Sequence, residues 1–163
     1  MELVLAQLQI VNEIEARLAN IKKANGYSID IKKIDRSTLQ VFGGRDLPAV
    51  NFYLDEDIAI DSTDGSFERQ ATFIFELYDR ERDTSLLDRT ILLSNDIFQA
   101  LSRSTELPAI SDRPSLNLGG MVNECVVTRI QPAMTSGQKP YVGCHVTVVV
   151  EYEVRKDDPY HLI

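Results

Sequence analysis

The chain has 163 residues, 44% hydrophobic and 26% charged, which predicts one folded domain over residues 1–163 with a core that needs neither disulfides nor metal. Its 17 basic and 25 acidic residues leave a net charge of −8, against a surface built to grip nucleic acid, which clusters cations on phosphates. Two cysteines, Cys125 and Cys144, are too few for a disulfide framework, no apolar run approaches a membrane span, and the Met1-Glu2-Leu3-Val4 start lacks the basic segment of a signal peptide. A reducing, cytosol-like compartment is the expectation.

The first predicted element is a helix over roughly 2–24. Leu5, Leu8, Val11, Ile14, Leu18 and Ile21 recur at steps of three and four, one stripe of an amphipathic helix. Lys22 and Lys23 suit its negative end, and Asn25-Gly26 supplies a left-handed stop. Ile29 and Ile31, alternating with Asp30 and Lys32, predict a short strand. After Gly43-Gly44, a second strand starts at Leu47-Pro48, with Val50, Phe52 and Leu54 on one face.

An acidic stretch follows: six carboxylates and no basic residue lie from Asp55 to Glu68. It reads as an acidic loop, with the turn over residues 61–65. Residues 66–78 carry the clearest alternation. Phe67, Ala71, Phe73, Phe75 and Leu77 point one way and Glu68, Gln70, Thr72 and Glu76 the other, as in an antiparallel strand with one buried face.

A second helix is predicted over about 84–103, capped by Asp83 or Thr84, with Leu87, Ile91, Ser94, Phe98 and Leu101 along its inner side. Residues 108–120 read as a loop. The chain then closes in a long hairpin of residues 121–131 and 142–155, joined through Thr135–Pro140. In its last strand Cys144, Val146, Val148, Val150, Tyr152 and Val154 share a face. Helix, three strands, helix, two strands is not a βαβ alternation. It predicts an α+β fold: two helices on one face of a mostly antiparallel, mixed sheet, with Phe73, Phe75, Val146, Val148 and Val150 beneath the helices.

The residues that carry catalysis elsewhere are sparse. His145 falls on the polar face of a strand and His161 near the chain's end, neither with a companion at metal-ligand spacing. The two thiols stand nineteen residues apart without a C-x-x-C pair, and Cys144 reads as a buried, inert thiol. Neither glycine pair fits a phosphate-binding loop. No catalytic, cofactor-binding or metal residues are expected, and no cofactor. The candidate functional residues are the acidic set Asp55, Glu56, Asp57, Asp61 and Asp64, facing either an assembly's lumen or a neighbouring subunit's Lys22, Lys23, Lys32 and Lys33. Their alternative use would be a divalent-cation site in a small metal-dependent enzyme, although the Ca²⁺-loop pattern is absent.

Five features together resemble the tail terminator family of tailed bacteriophages, which includes the minor tail protein U of lambdoid phages. They are the helix end Leu18-Ala19-Asn20-Ile21-Lys22-Lys23-Ala24-Asn25-Gly26-Tyr27; a short strand and glycine-bearing loop; Asp46-Leu47-Pro48-Ala49-Val50 opening a strand that runs into acidic residues; a long strand before a helix with Leu92, Ile97, Phe98, Ala100 and Leu101; and a valine-rich final strand. The resemblance implies an α+β subunit without catalytic residues that assembles as a hexameric ring. It implies that the ring caps the tail tube protein, halts tube polymerisation and offers the surface for the head–tail connector or neck protein. DNA would pass through without specific binding, and the protein would reside in the neck of the virion after assembly in the host cytoplasm, without a membrane partner. Another neck or connector protein, or a tail tube subunit, is the alternative within the same class.

Overall fold

The computed structural model describes residues 5–36, 42–80, 85–102, 117–134 and 141–163. Helix α1 spans Ala6–Ala19 and helix α2 Leu86–Ser102; the strands are β1 (Lys33–Asp35), β2 (Ala49–Ser62), β3 (Ser66–Arg80), β4 (Glu124–Met134), β5 (Tyr141–Arg155) and β6 (Asp158–Leu162). They form one sheet in the order β1-β2-β3-β5-β4, with β6 also on β5. β1 runs parallel to β2 and the other pairings are antiparallel. The architecture is therefore the α+β arrangement that the patterning predicts, including the β4–β5 hairpin.

The long central strands explain themselves. In β3, Ala71, Phe73, Phe75 and Leu77 are buried; in β5, Cys144, Val146, Val148, Val150, Tyr152 and Val154 are buried, and the two rows meet residue for residue from Ala71↔Val150 to Leu77↔Cys144. Both helices cover this face: Ile10, Ile14 and Leu18 of α1 and Leu93, Ile97 and Leu101 of α2 join the same core cluster. Phe52 of β2 stacks on Phe75 with ring centroids 5.5 Å apart. A second, small cluster of Phe42, Leu47 and Ala49 packs with Tyr78.

Several expectations are corrected. Helix α1 stops at Ala19, not near residue 24: Asn20 and Ile21 donate to the Arg17 and Leu18 carbonyls, closing a tight last turn. Lys22 and Lys23 lie beyond it, and Gly26, at φ 86°, closes a separate 3₁₀ turn over Lys23–Asn25. The inner stripe of α1 runs through Ala6, Ile10, Ile14 and Leu18, whereas Leu5 and Leu8 are exposed. Two overlapping apolar stripes coexist in this segment, and the one containing Ile10 is the one that joins the core.

Ile29 and Ile31 are buried as their alternation implies, but not in a strand. Their backbone bonds go elsewhere: Ser28 and Ile29 donate to the Asp96 carboxylate of α2, and Ile31 donates to the Ile21 carbonyl. β2 begins at Ala49 rather than at residue 47, and Leu47-Pro48 is a cis peptide before it. The hairpin loop at 135–140, the expected caps Asp83 and Thr84 and most of the 108–120 segment lie outside the described residues. At the start of α2, the Ser85 hydroxyl accepts from the Asp88 N–H at 3.1 Å and so acts as the cap.

Candidate assembly surfaces

The acidic stretch is not a loop. Asp55, Glu56, Asp57 and Asp61 belong to β2, which pairs with β3 as far as Ser62↔Phe67, and the turn is confined to residues 63–65. Backbone pairing with β3 satisfies its amides and carbonyls, so β propensity is set here by the partner strand rather than by the residues' own preference for turns. Register shifts between Leu54 and Glu56 and between Ala59 and Asp61 mark two bulges, each of which re-aims the side chains beyond it.

These bulges divide the five candidates. Asp57 turns inward beside Ala71, where its side chain is only 7% exposed. It accepts from the Tyr152 hydroxyl at 2.5 Å, from Arg69 Nε at 2.8 Å and from Gln7 Nε2, which ties β2, β3 and β5 to the first turn of α1. Burial, and then the hydrogen bond to Asp57, push the Tyr152 hydroxyl up to about 12. Arg69 is partly desolvated, which works against its charge, but the Asp57 hydrogen bond and charge raise its pKa on balance. Asp57 is therefore a structural carboxylate with its lone pairs in use. Asp55, Glu56, Asp61 and Asp64 remain exposed.

The hairpin tip that carries Asp61 and Asp64 is well braced. Thr63 N–H donates to the Ser66 carbonyl at 3.1 Å, and the Thr63 and Ser66 hydroxyls are 2.9 Å apart. Lys156, from the turn after β5, donates its backbone N–H to the Gly65 carbonyl at 3.0 Å and its ammonium to the Thr63 carbonyl, and the ammonium lies 5.0 Å from the centroid of the Phe67 ring.

Among the described residues, two apolar stripes are exposed. On α2, Leu87, Ile91 and Phe98 are 64%, 54% and 45% exposed. The stripe expected to face the core thus faces outward for these residues, while its members Ser94 and Leu101 are buried. The inward side is instead Leu93, Ile97 and Ala100 with Thr90, Ser94 and Asp96. Its polar members are bonded locally or across the core, Ser94 to the Ile91 carbonyl and Asp96 to the Ser28 and Ile29 amides. On β2, Leu54, Ile58 and Ile60 are each 42% exposed.

Patterning missed two residues. Arg17 is 1% exposed and donates to the Ala100 and Leu101 carbonyls at the end of α2 and to Glu13 at 2.6 Å, a cation capping a helix C-terminus. The available signal was its place three residues after Ile14 and one before Leu18, among the buried positions of α1. Asp96 likewise occupies an inner position of α2. Of the other residues singled out, His145 is exposed 3.9 Å from Glu76, His161 contacts Asp158 at 2.5 Å, and both thiols are buried, with desolvation pushing Cys125 and Cys144 up to about 12. Among the described residues no three His, Cys, Asp or Glu side chains converge as a metal site, and no helix is long and apolar enough to cross a membrane.

No protein-family model matches this chain, and no curated protein matches it.

Proposed function

We propose that this chain is a non-catalytic structural subunit of the tail terminator type. It forms a homo-oligomeric, six-membered ring that caps a tail tube, stops its growth and presents a surface for head–tail joining. The observation that carries the reading is the outward apolar stripe of α2, Leu87, Ile91 and Phe98. Moving a large apolar side chain from water into a contact contributes roughly 1.5–3 kcal/mol when burial is complete. A stripe of three on one helix, with a further exposed set of Leu54, Ile58 and Ile60 on β2, supports a protein whose finished state covers them with other protein. A closed ring needs two different surfaces per subunit, and these two lie over opposite flanks of the sheet, α2 against β4 and β5 and the other set on β2.

Electron microscopy of the purified protein, with light scattering for mass, tests this reading. Six-fold rings that cap isolated tail tubes support it; a protein that stays monomeric across micromolar concentrations, or that polymerises into tubes by itself, refutes the terminator role. The second outcome would favour a tail tube subunit. A metal-dependent enzyme has less support, since Asp57 is already engaged by Tyr152 and Arg69 and the neighbouring carboxylates are spread along a strand.

A further inference from the structure

β2 and β3 pair along nearly their whole length, and the two ends of this pair carry opposite chemistry. At roughly 3.3 Å per residue, the 14 residues of β2 place Ser62 about 40–45 Å from Ala49. The far end is the braced hairpin tip, where Asp61 and Asp64 are exposed and Glu68 stands directly across from both Asp61 and Glu153. Like charges facing each other across strands destabilise a sheet, so this arrangement favours a cationic partner. The two cations near the tip are already engaged, Arg155 by Asp157 at 3.2 Å and Lys156 by the Thr63 carbonyl.

The near end is a cleft of about 150 Å³ with Ile29, Leu47 and Pro48 in its walls and Lys23, Lys32, Arg80 and Arg89 around it. Of its two carboxylates, Asp79 pairs with Arg89, while Asp30 is exposed and accepts only the Lys23 backbone N–H at 2.8 Å, which leaves three cations against one unpaired carboxylate. Among the described residues the Lys23 and Lys32 ammonium groups and the Arg80 guanidinium form no ion pair. Arg80 lies against Gly44, where an added Cβ would stand 1.6 Å from its Nη2, so the absence of a side chain at residue 44 leaves the guanidinium its place. A surplus of cations over an apolar wall at one end answers a surplus of carboxylates on a rigid turn at the other.

We propose that the hairpin tip of one copy seats Asp61 and Asp64 in the cleft of a second copy, against Lys23, Lys32 and Arg80. Because tip and cleft are different surfaces, the contact is head to tail and propagates until it closes. The inference rests on the ring reading for the number of subunits, not for the contact itself.

Charge reversal on each side tests it. The tip variant carries Asp61→Lys and Asp64→Lys; the cleft variant carries Lys23→Glu and Lys32→Glu. All four positions are exposed, so circular dichroism and melting curves should match the parent chain. Sedimentation velocity should show that each variant alone assembles at least about tenfold more weakly, because like charges now meet. An equimolar mixture should recover assembly with the two variants alternating, since the reversed tip fits the reversed cleft and the native tip fits the native cleft. Parent assembly should also weaken at 1 M salt, where screening extends only about 3 Å.

If the parent chain forms rings and either variant does so equally well alone, the tip–cleft contact is wrong and the ring reading stands. Loss of assembly only in the cleft variant would overturn the contact as well, and assign the cleft to another anion. An open filament or dimer that shows the mixing rescue would keep the contact and refute the ring. A parent chain that remains monomeric overturns both.

Discussion

Replacing Asp57 with Ala separates this carboxylate from its acidic neighbours. The substitution removes the acceptor for the Tyr152 hydroxyl, for Arg69 Nε and for Gln7 Nε2. Tyr152 is 1% exposed, so its hydroxyl loses its partner without a ready replacement from water, a penalty of about 1–3 kcal/mol. The Arg69 side chain is 28% exposed and recovers hydration, so its share is held to about 1 kcal/mol or less. Gln7 is exposed and adds little. The sum is about 1–4 kcal/mol, which for a chain of this size lowers the melting temperature by roughly 2–16 °C. Asp57→Asn keeps an acceptor and should lose about half as much, because only the charge assistance goes. Urea unfolding followed by circular dichroism measures both, and a double-mutant cycle with Tyr152→Phe should show coupling of at least about 0.5 kcal/mol. Ala at Asp55, Glu56, Asp61 or Asp64 should cost under about 0.5 kcal/mol. If Asp57→Ala costs no more than those four, the inward network is wrong and Asp57 belongs with the water-facing set.

Phe75→Ala, at a ring that is fully buried and stacked on Phe52, should lose about 3–5 kcal/mol in the same urea assay; a loss under about 1 kcal/mol would put Phe75 at the surface. Cys144→Val should leave folding and assembly intact, and neither native thiol should react with a disulfide reagent at pH 8 until the chain unfolds, since burial holds both near 12. The contribution of Cys125, Cys144, Tyr78 and Tyr152 to stability should be constant below about pH 9 and fall above it: their folded-state values are raised to about 12, so the unfolded chain ionises first, the thiols from about 9 and the phenols from about 10. Alkaline melting curves check the sign. Ile91→Lys should change melting by no more than about 0.5 kcal/mol while abolishing or weakening assembly, read by light scattering; unchanged assembly would remove the α2 stripe from the interface.

The central strands were legible because each has one face in the core. Phe73, Phe75 and Leu77, or Val146, Val148 and Val150, can alternate with polar residues only if the segment is extended and covered on one side. The helices were legible as helices but not in their orientation. On α2 the most hydrophobic stripe, Leu87, Ile91 and Phe98, is the outer one, and the inner side mixes Leu93, Ile97 and Ala100 with polar residues whose bonds are made to backbone. Periodicity measures how hydrophobicity is distributed and carries no information about which partner buries it. An outward-facing apolar stripe is therefore read as core. The acidic set failed for the converse reason. Asp57 differs from Asp55 and Glu56 in nothing local; the bulge after Leu54 and the cross-sheet partners Arg69 and Tyr152 turn it inward, and both depend on contacts distant in sequence.

The sheet's edges bear on how copies of such a chain can meet. Among the described residues, β1 covers β2 only from Ala49 to Asn51, which leaves the outer edge of β2 unpaired from Phe52 to Ser62, and β4 likewise pairs on one side only. Long bare edges invite strand addition by any neighbouring chain, so their persistence requires devices that prevent it. Both edges carry them. β2 has two bulges, the inward-pointing charge of Asp57 and the outward charges of Asp55, Glu56 and Asp61. β4 has a bulge between Val127 and Arg129, and Pro132, which offers no N–H. A subunit that added copies through its strand edges would be selected for straight, uncharged edges. This one bars backbone pairing at both edges and leaves the α2 stripe and the two charged ends open. Under the proposed ring, specificity of association would lie in side-chain surfaces, which can be covered by a fixed number of neighbours, rather than in hydrogen-bonded edges, which can extend without limit.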